Sequence, residues 1–294
     1  MRQIPIGTCI PGDRFEAWAP KLIGRGFECF AICFHMSLGG ADLGRLAERA
    51  RELLGGGGAF VSALGYYCNP LQYEDHRWQL ESVIDAAPSF GAKTVSTFAG
   101  ALEGESVEAA IPRFRAVFGE LARRAEDRGV GLAIENCPMG GTWRKNTCNI
   151  AMNPRAWELL FDAVPSGSLG LEWEPAHQIC QFADPMIGLG RFAKRILHVH
   201  GKDALTRRDE LGYSGIEGPV GVVDSRFPGF GDTDWRRVFA ILQSTGYAGA
   251  VNIEGYHDPL FGGDWEMTGQ LHALSYLKWC RGGDFAANPW EAQG

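Results

Sequence analysis

The stretch Ile4-Pro5-Ile6-Gly7-Thr8-Cys9-Ile10-Pro11-Gly12 reads as a first β-strand, with isoleucine at positions 4, 6 and 10 and the β-branched Thr8 between them. A dinucleotide-binding sheet places Gly-x-Gly-x-x-Gly directly after its first strand, because those glycines let the backbone approach a pyrophosphate. Here Gly7 is followed by Thr8, Cys9, Ile10 and Pro11 before the next glycine, so that fingerprint is broken. The alternative α/β architecture is a closed (β/α)8 TIM barrel, which requires the strand-helix unit to recur eight times.

It does recur. Apolar, strand-like runs fall at 4–10, 27–34, 60–67, 94–99, 131–136, 169–173, 196–200 and 250–254, about 35 residues apart. Segments 42–54, 73–90, 106–128 and 154–164 between them carry apolar residues at helical spacing. Their ends carry matching signals. Ser106 can cap a helix that Gly129 stops, and Asn153-Pro154 is a cap followed by a first-turn proline. The glycine run 55–58 reads as a helix-to-strand loop, and the expectation is one barrel domain over 1–294. The segment 204–231, rich in glycine and proline and without strong periodicity, reads as a long loop after strand seven that covers the active face.

Composition removes several classes. A chain of 294 residues with 45% hydrophobic and 21% charged side chains can bury a large core and is not a disordered tail. Twenty-eight Lys and Arg against 35 Asp and Glu give a net charge of -7, without the positive field that attracts nucleic acid. The most apolar run, 27–34, is broken by Glu28 and falls well short of the roughly 18 residues of a membrane span. The first residues lack a secretory pattern, and the eight cysteines contain no CxxC pair, so the expectation is a cytoplasmic protein with reduced thiols.

Barrel enzymes draw their catalytic groups from the carboxyl ends of several strands. Here the last four end in Ile134-Glu135-Asn136, Glu172-Trp173-Glu174-Pro175-Ala176-His177, His198-Val199-His200-Gly201-Lys202-Asp203 and Asn252-Ile253-Glu254. With period-two alternation, Glu172 shares a face with Glu174, and His198 with His200. The outer member of each pair is the site candidate, and His198 reads as a deeper core histidine bonded to nearby carbonyls. Glu135, Glu174, Glu254 and His200 meeting in a barrel mouth would repel unless a cation neutralised them. An oxygen-rich set with one imidazole suits Mn2+, then Mg2+ or Co2+, with Zn2+ less favoured.

These four motifs, in this order, resemble the xylose isomerase-like superfamily of sugar isomerases and epimerases, its ketose 3-epimerases above all. The resemblance implies a divalent metal held by Glu135, Glu174, His200 and Glu254, with Glu174 standing where aspartate is usual. It implies that His177 contacts substrate and that Glu135 and Glu254 are the catalytic acid/base pair of an enediolate reaction on a ketose or related keto-sugar. A small-molecule sugar and a dimer or tetramer of this chain are the expected partners. A lyase or hydrolase of an oxidised glycoside or polyol, and a non-catalytic sugar-binding barrel, are the competing readings. The related endonuclease IV pattern of Asp-x-His is absent, because the chain has Asp224-Ser225-Arg226.

Further substrate contacts are expected from Lys202, whose other reading is a surface ion pair with Asp203, and from His35, Tyr67 and Arg226. Trp143, Arg144, Phe227 and Phe230 are candidates to close over a sugar, with a purely structural role as the alternative. Cys137 and Cys148 lie near the site without a paired histidine that would make either a nucleophile.

Overall fold

In the computed structural model, which describes residues 3–56 and 58–287, the eight barrel strands form where the sequence places them. In chain order the elements are β1 (Ile6–Pro11), α1 (Phe15–Ile23), β2 (Cys29–His35), α2 (Leu43–Leu54), β3 (Phe60–Tyr67), α3 (Glu74–Ala86), β4 (Thr94–Thr97) and α4 (Val107–Asp127). They continue with β5 (Gly131–Glu135), α5 (Pro154–Ala163), β6 (Leu169–Trp173), α6 (Pro175–Ile179), α7 (Pro185–Phe192) and β7 (Ile196–Gly201). The last are β8 (Asp203–Thr206), α8 (Arg208–Ser214), β9 (Val223–Arg226), α9 (Trp235–Ser244), β10 (Val251–Ile253) and α10 (Glu266–Cys280). Gly57 in the expected 55–58 loop, and the two chain ends of the expected 1–294 domain, lie outside the described residues.

Eight parallel strands close in the order β1-β10-β7-β6-β5-β4-β3-β2, a (β/α)8 barrel. The helices start where side chains can serve the free N–H groups of a first turn. Asp42 accepts from Arg45 N, Ser106 from Ala109 N, Asn153 from Arg155 N and Ala156 N, and Asp234 from Arg237 N. No helix among the described residues is long and apolar enough to cross a membrane.

Barrel closure is reinforced at the amino end of the strands. Arg281, just past α10, donates to Glu28 Oε2 at 2.6 Å and to Ile4 O at 2.9 Å. Glu28 Oε2 also accepts from Ile6 N at 2.8 Å, so one carboxylate ties the end of α10 to the start of β1.

The segment 204–231 corrects the expectation of an irregular cover. It folds into an antiparallel pair, β8 with β9 in the register Asp203↔Arg226 to Thr206↔Val223, with α8 at its tip. Ala204 and Val223 pack against Ala176 and Ile179 of α6. The hairpin therefore braces α6 at the side of the mouth and does not close over it.

Candidate metal centre

Four side chains converge at the carboxyl end of the barrel, each placed by the end of a strand. Glu135 is the last residue of β5 and His200 lies in β7, while Glu174 and Glu254 directly follow β6 and β10. Candidate ligand atoms of all four lie within 4.8 Å of one another. His200 Nδ1 is 3.0 Å from Glu254 Oε2, 3.1 Å from Glu135 Oε1 and 3.2 Å from Glu174 Oε2. One ring nitrogen can carry one proton, so it can satisfy one of the three carboxylates.

The remaining oxygens are poorly served. Glu174 Oε1 and Glu254 Oε2 are buried with no well-directed hydrogen bond among the described residues. His177 Nε2 does lie 3.0 Å from the first, but as a close approach without hydrogen-bond alignment. Lys202, also buried, donates to Glu254 Oε1 at 3.0 Å and stands 3.8 Å from Glu174 Oε1. With all three carboxylates ionised and His200 neutral, the state in which each can ligate a metal, three negative charges face one ammonium, leaving a two-charge excess. A divalent cation matches that excess, and the under-bonded oxygens have the chemistry to bind it. The residues present therefore fit a divalent metal.

Charge and burial push the two outer glutamates apart. Burial, reinforced by Glu174 and Glu172 and opposed by His200, holds Glu135 well above the ordinary carboxylate range. For Glu254 burial works in the same direction but is outweighed by Lys202 and His200, which hold it well below that range. Burial would also lower His200, yet Glu172 and Tyr67 keep it well above the usual imidazole value. His177 is lowered by its burial.

A second polar layer sits directly beneath. His200 Nε2 faces Tyr67 Oη at 3.1 Å and Glu172 Oε1 at 3.2 Å, and the Tyr67 hydroxyl donates to Glu172 Oε2 at 2.9 Å. Glu172 Oε1 is 2.6 Å from His198 Nδ1, whose Nε2 is 2.8 Å from Asn252 Oδ1. Asn252 is oriented by donating to Thr8 O and by accepting from the Ser62 hydroxyl. Partners of this kind fix the ring of a ligating histidine, here with Nδ1 turned to the carboxylates. His198 is thus the deeper histidine that alternation implies, but its partners are a carboxylate and an amide rather than backbone carbonyls.

Tyr67 reaches this layer because its ring folds back across Gly65. A Cβ at Gly65 would fall 2.7 Å from Tyr67 Cε2 and 2.9 Å from Tyr67 Oη. At the rim, Asn136 clamps two strands together: its Nδ2 donates to Glu174 O at 2.8 Å and its Oδ1 accepts from Glu174 N at 2.7 Å. Asn149 Nδ2 donates to Glu135 O and Cys137 O while its Oδ1 accepts from Ala99 N, tying the loop after β5 to β4.

A cavity of about 970 Å³ opens over the cluster. Glu135, His177, His200, Lys202, Glu254, His35 and Tyr67 line it together, and Cys137 joins them. Arg226 does not. Its Nε is 3.2 Å from Asp258 Oδ2 and its guanidinium lies over the Phe230 ring, so it anchors β9 to the loop after β10. Asp258 also accepts from Phe227 N, Leu260 N and Phe261 N.

Trp143 and Arg144 are likewise outside the cavity lining, and Trp143 donates to Glu108 at the start of α4. Phe227 is core and Phe230 stacks on Phe261 and His272. The Lys202–Asp203 ion pair does not form: Asp203 instead accepts from Thr233 and Trp235.

Several lining residues carry no motif. Cys9 and Cys33 belong to them, and the Cys33 thiol, with His200 and against burial, draws Cys9 down to about 6. Phe98, Met139, Tyr256 and His257 are others. Their one sequence signal is position, since each lies near the carboxyl end of a barrel strand, Cys9 and Cys33 within β1 and β2 and the others beyond β4, β5 and β10.

The chain is 30% identical over 165 residues to the rhizopine catabolism protein MocC of Rhizobium meliloti, covering 54% of this chain and 44% of that protein. It is 27% identical over 153 residues to the inosose dehydratase of Lacticaseibacillus casei, with 51% and 48% covered. The chain thus spans about half the length of the curated relatives it matches. Its fold is similar to that of 3-keto-D-glucoside 4-epimerase from E. coli, with a TM-score of 0.70 at 15% identity over 95% of this chain and 100% of that one. Residues 22–279 match the family model described as the xylose isomerase-like TIM barrel. With an eight-stranded parallel barrel behind that match, this chain belongs to the xylose isomerase-like TIM barrel family.

Proposed function

We propose that this chain is a divalent-metal-dependent enzyme that moves a proton at the carbon beside a carbonyl of a keto-sugar, giving epimerisation or isomerisation. The observation that carries the reading is the convergence of Glu135, Glu174, His200 and Glu254 around under-bonded buried oxygens. Three carboxylates and one imidazole favour Mn2+, then Mg2+ or Co2+, over Zn2+. A cation bound by these four residues would polarise a carbonyl and its neighbouring hydroxyl, acidifying the C–H between them.

The protein's own groups supply the rest. Glu254, held ionised by Lys202, is placed to take the proton from carbon. Glu135, the second carboxylate at the mouth, is placed to return a proton that it has taken up from solvent. They stand on strands separated by β6 and β7, so they approach a bound substrate from different directions. Return to the same carbon on the other face inverts it, and return to the adjacent carbon isomerises the sugar. His177 and Lys202 face the same space and would orient substrate oxygens.

The sequence match to an inosose dehydratase favours a second reading with the same residues. If the proton of Glu135 goes to a hydroxyl one carbon further along, that hydroxyl leaves as water and the product is unsaturated. The proton's destination is the whole difference between the two outcomes.

Elemental analysis of protein purified without chelator, followed by incubation in D2O with keto-sugars and keto-polyols, tests the proposal. A bound divalent metal and deuterium appearing beside the carbonyl are expected, and product identity separates epimer, isomer and dehydration product. Glu254→Gln and Glu135→Gln should each slow exchange by roughly 10²–10⁴-fold. Exchange at the wild-type rate in either variant, with metal still bound, would sink the assignment.

A further inference from the structure

The cavity is divided by chemistry. Apart from Asp13 at the rim, its charged groups come from the ends of β5, β6, β7 and β10, whereas the side built by β1 to β4 and the first residues beyond β5 is mostly apolar. Phe34, Leu38, Phe98 and Met139 face the cavity there, and Tyr67 packs on Phe98 with ring centroids 5.4 Å apart. We infer that the natural substrate carries an uncharged, largely apolar group beyond its reacting sugar ring, as in an alkyl or aryl keto-glycoside, and that this wall holds it. The inference rests on the proposed keto-sugar chemistry for its reacting end.

Three observations support it. The first is size: about 970 Å³ lies at the upper end of the roughly 300–1,000 Å³ that hold drug-sized ligands, more than one sugar ring needs.

The second is charge. Among the described residues no arginine lines the cavity, and its one lysine already faces Glu254 and Glu174. Asp13 adds a negative charge at the rim. A phosphate on the distal end of the substrate would find no arginine and no unpaired lysine among the described residues, whereas an uncharged ring or chain would meet apolar surface.

The third is backbone strain. Of the four non-glycine residues with positive φ among those described, Met139 (φ 47°) and His257 (φ 72°) line the cavity. Met36 (φ 58°) packs on the Tyr67–Phe98 cluster behind the wall. Long side chains rarely adopt this conformation, and it persists where function demands it. Here it carries the flexible Met139 thioether to the apolar side of the mouth, where it can mould to varied shapes.

The wall also depends on a close approach. A Cβ at Gly12 would fall 2.2 Å from the Phe34 ring, so glycine there lets the ring lie flat against the end of β1.

The test compares exchange rates in D2O for methyl and phenyl 3-keto-glucosides, a free ketohexose and its phosphate ester. In parallel, saturation-transfer NMR follows binding of the unoxidised phenyl β-D-glucopyranoside, which needs no turnover. Leu38→Asn and Met139→Asn make the wall polar, and asparagine tolerates the backbone conformation at position 139, so the second variant keeps the fold.

The expected result is a kcat/KM roughly tenfold higher for the phenyl than the methyl compound, with the phosphate ester slowest, and a phenyl advantage reduced in both variants. Equal rates for phenyl and methyl compounds, or a preference for the phosphate ester, overturn the inference and leave the proton-transfer reading standing. Saturation of the aryl protons without exchange on any keto-sugar, lost in the variants, upholds the wall and overturns the chemistry. Neither exchange nor aryl binding overturns both.

Discussion

Tyr67 shows how much one side chain can do at this mouth. Its hydroxyl stands between His200 Nε2 and Glu172 Oε2, while the ring packs beside Phe98. Tyr67→Phe keeps the ring and removes only the bridge, so the fold should persist while the His200 ring loses a fixed orientation. Metal affinity is expected to fall about 10–100-fold, the usual cost of losing such an outer partner. Titration calorimetry with Mn2+ on metal-stripped protein measures it. An unchanged affinity would mean that Glu172 alone orients His200. At this scale the sequence was partly legible. Glu135, Glu174, His200 and Glu254 could be picked as strand-end polar residues, because alternation and strand ends are local properties. Lys202 and Asp203 could not be sorted by adjacency. On an extended backbone neighbours point to opposite sides, so Lys202 enters the cavity while Asp203 turns to Thr233 and Trp235. Arg226 failed as a substrate contact for a related reason: its partner Asp258 is 32 residues away, on a loop whose course no local pattern announces.

Elements follow the same division. Most barrel strands were readable because they are largely buried on both faces and therefore predominantly apolar. The hairpin β8–β9 was not, since its second strand, Val223-Asp224-Ser225-Arg226, is half-exposed and lacks both the length and the alternation that mark a strand. The closure between α10 and β1 was also hidden, because Glu28 and Arg281 meet only when the barrel closes. Arg281 is almost fully buried, and Glu28→Gln would leave its charge with only the exposed Asp284 as an ionic partner. The loss is expected to be about 3 kcal/mol, the low end of the range for breaking a buried pair because Glu28 itself is partly exposed. Burial acts to raise Glu28, but Arg281 and the Ile6 N–H outweigh it, so its folded pKa lies below the ordinary 4.5. A carboxylate lowered on folding adds stability above its unfolded pKa, and loses it as pH falls through the folded value. The gap in melting temperature between wild type and variant should therefore be full near neutral pH and shrink below about pH 4.5. A gap that stays constant from pH 7 to pH 3 would show that the pair is not the source of the difference.

For the whole molecule, the decisive property is that a parallel barrel brings the carboxyl ends of distant strands to one face, so a three-residue strand at the end of the chain can complete a site begun at Glu135. The apolar half of the cavity stayed illegible because its residues carry no charge pattern and are ordinary core side chains until closure exposes them to a common space. The charged half predicts how the molecule as a whole responds to metal and to pH. Without a cation, burial and the neighbouring carboxylates keep Glu135 protonated, while Glu172 and Tyr67 keep His200 protonated against its own desolvation. Binding a cation through Glu135 and through His200 Nδ1 must release those protons. Apparent affinity should therefore rise with pH, by about tenfold per unit for each proton released, until both groups have titrated. Calorimetry in two buffers of different ionisation heat counts the protons directly, and the expected number lies between one and two. At a hundredfold excess over the dissociation constant the folded state gains about 2.7 kcal/mol, which should raise the melting temperature by roughly 5 °C and be reversed by chelator. The gain should shrink at acid pH, where protons compete for the same atoms. A melting temperature indifferent to Mn2+, Mg2+ and Co2+ across pH 5 to 8, or binding without proton release, would remove Glu135 and His200 from the coordination set and with them the proposed route to an acidified C–H.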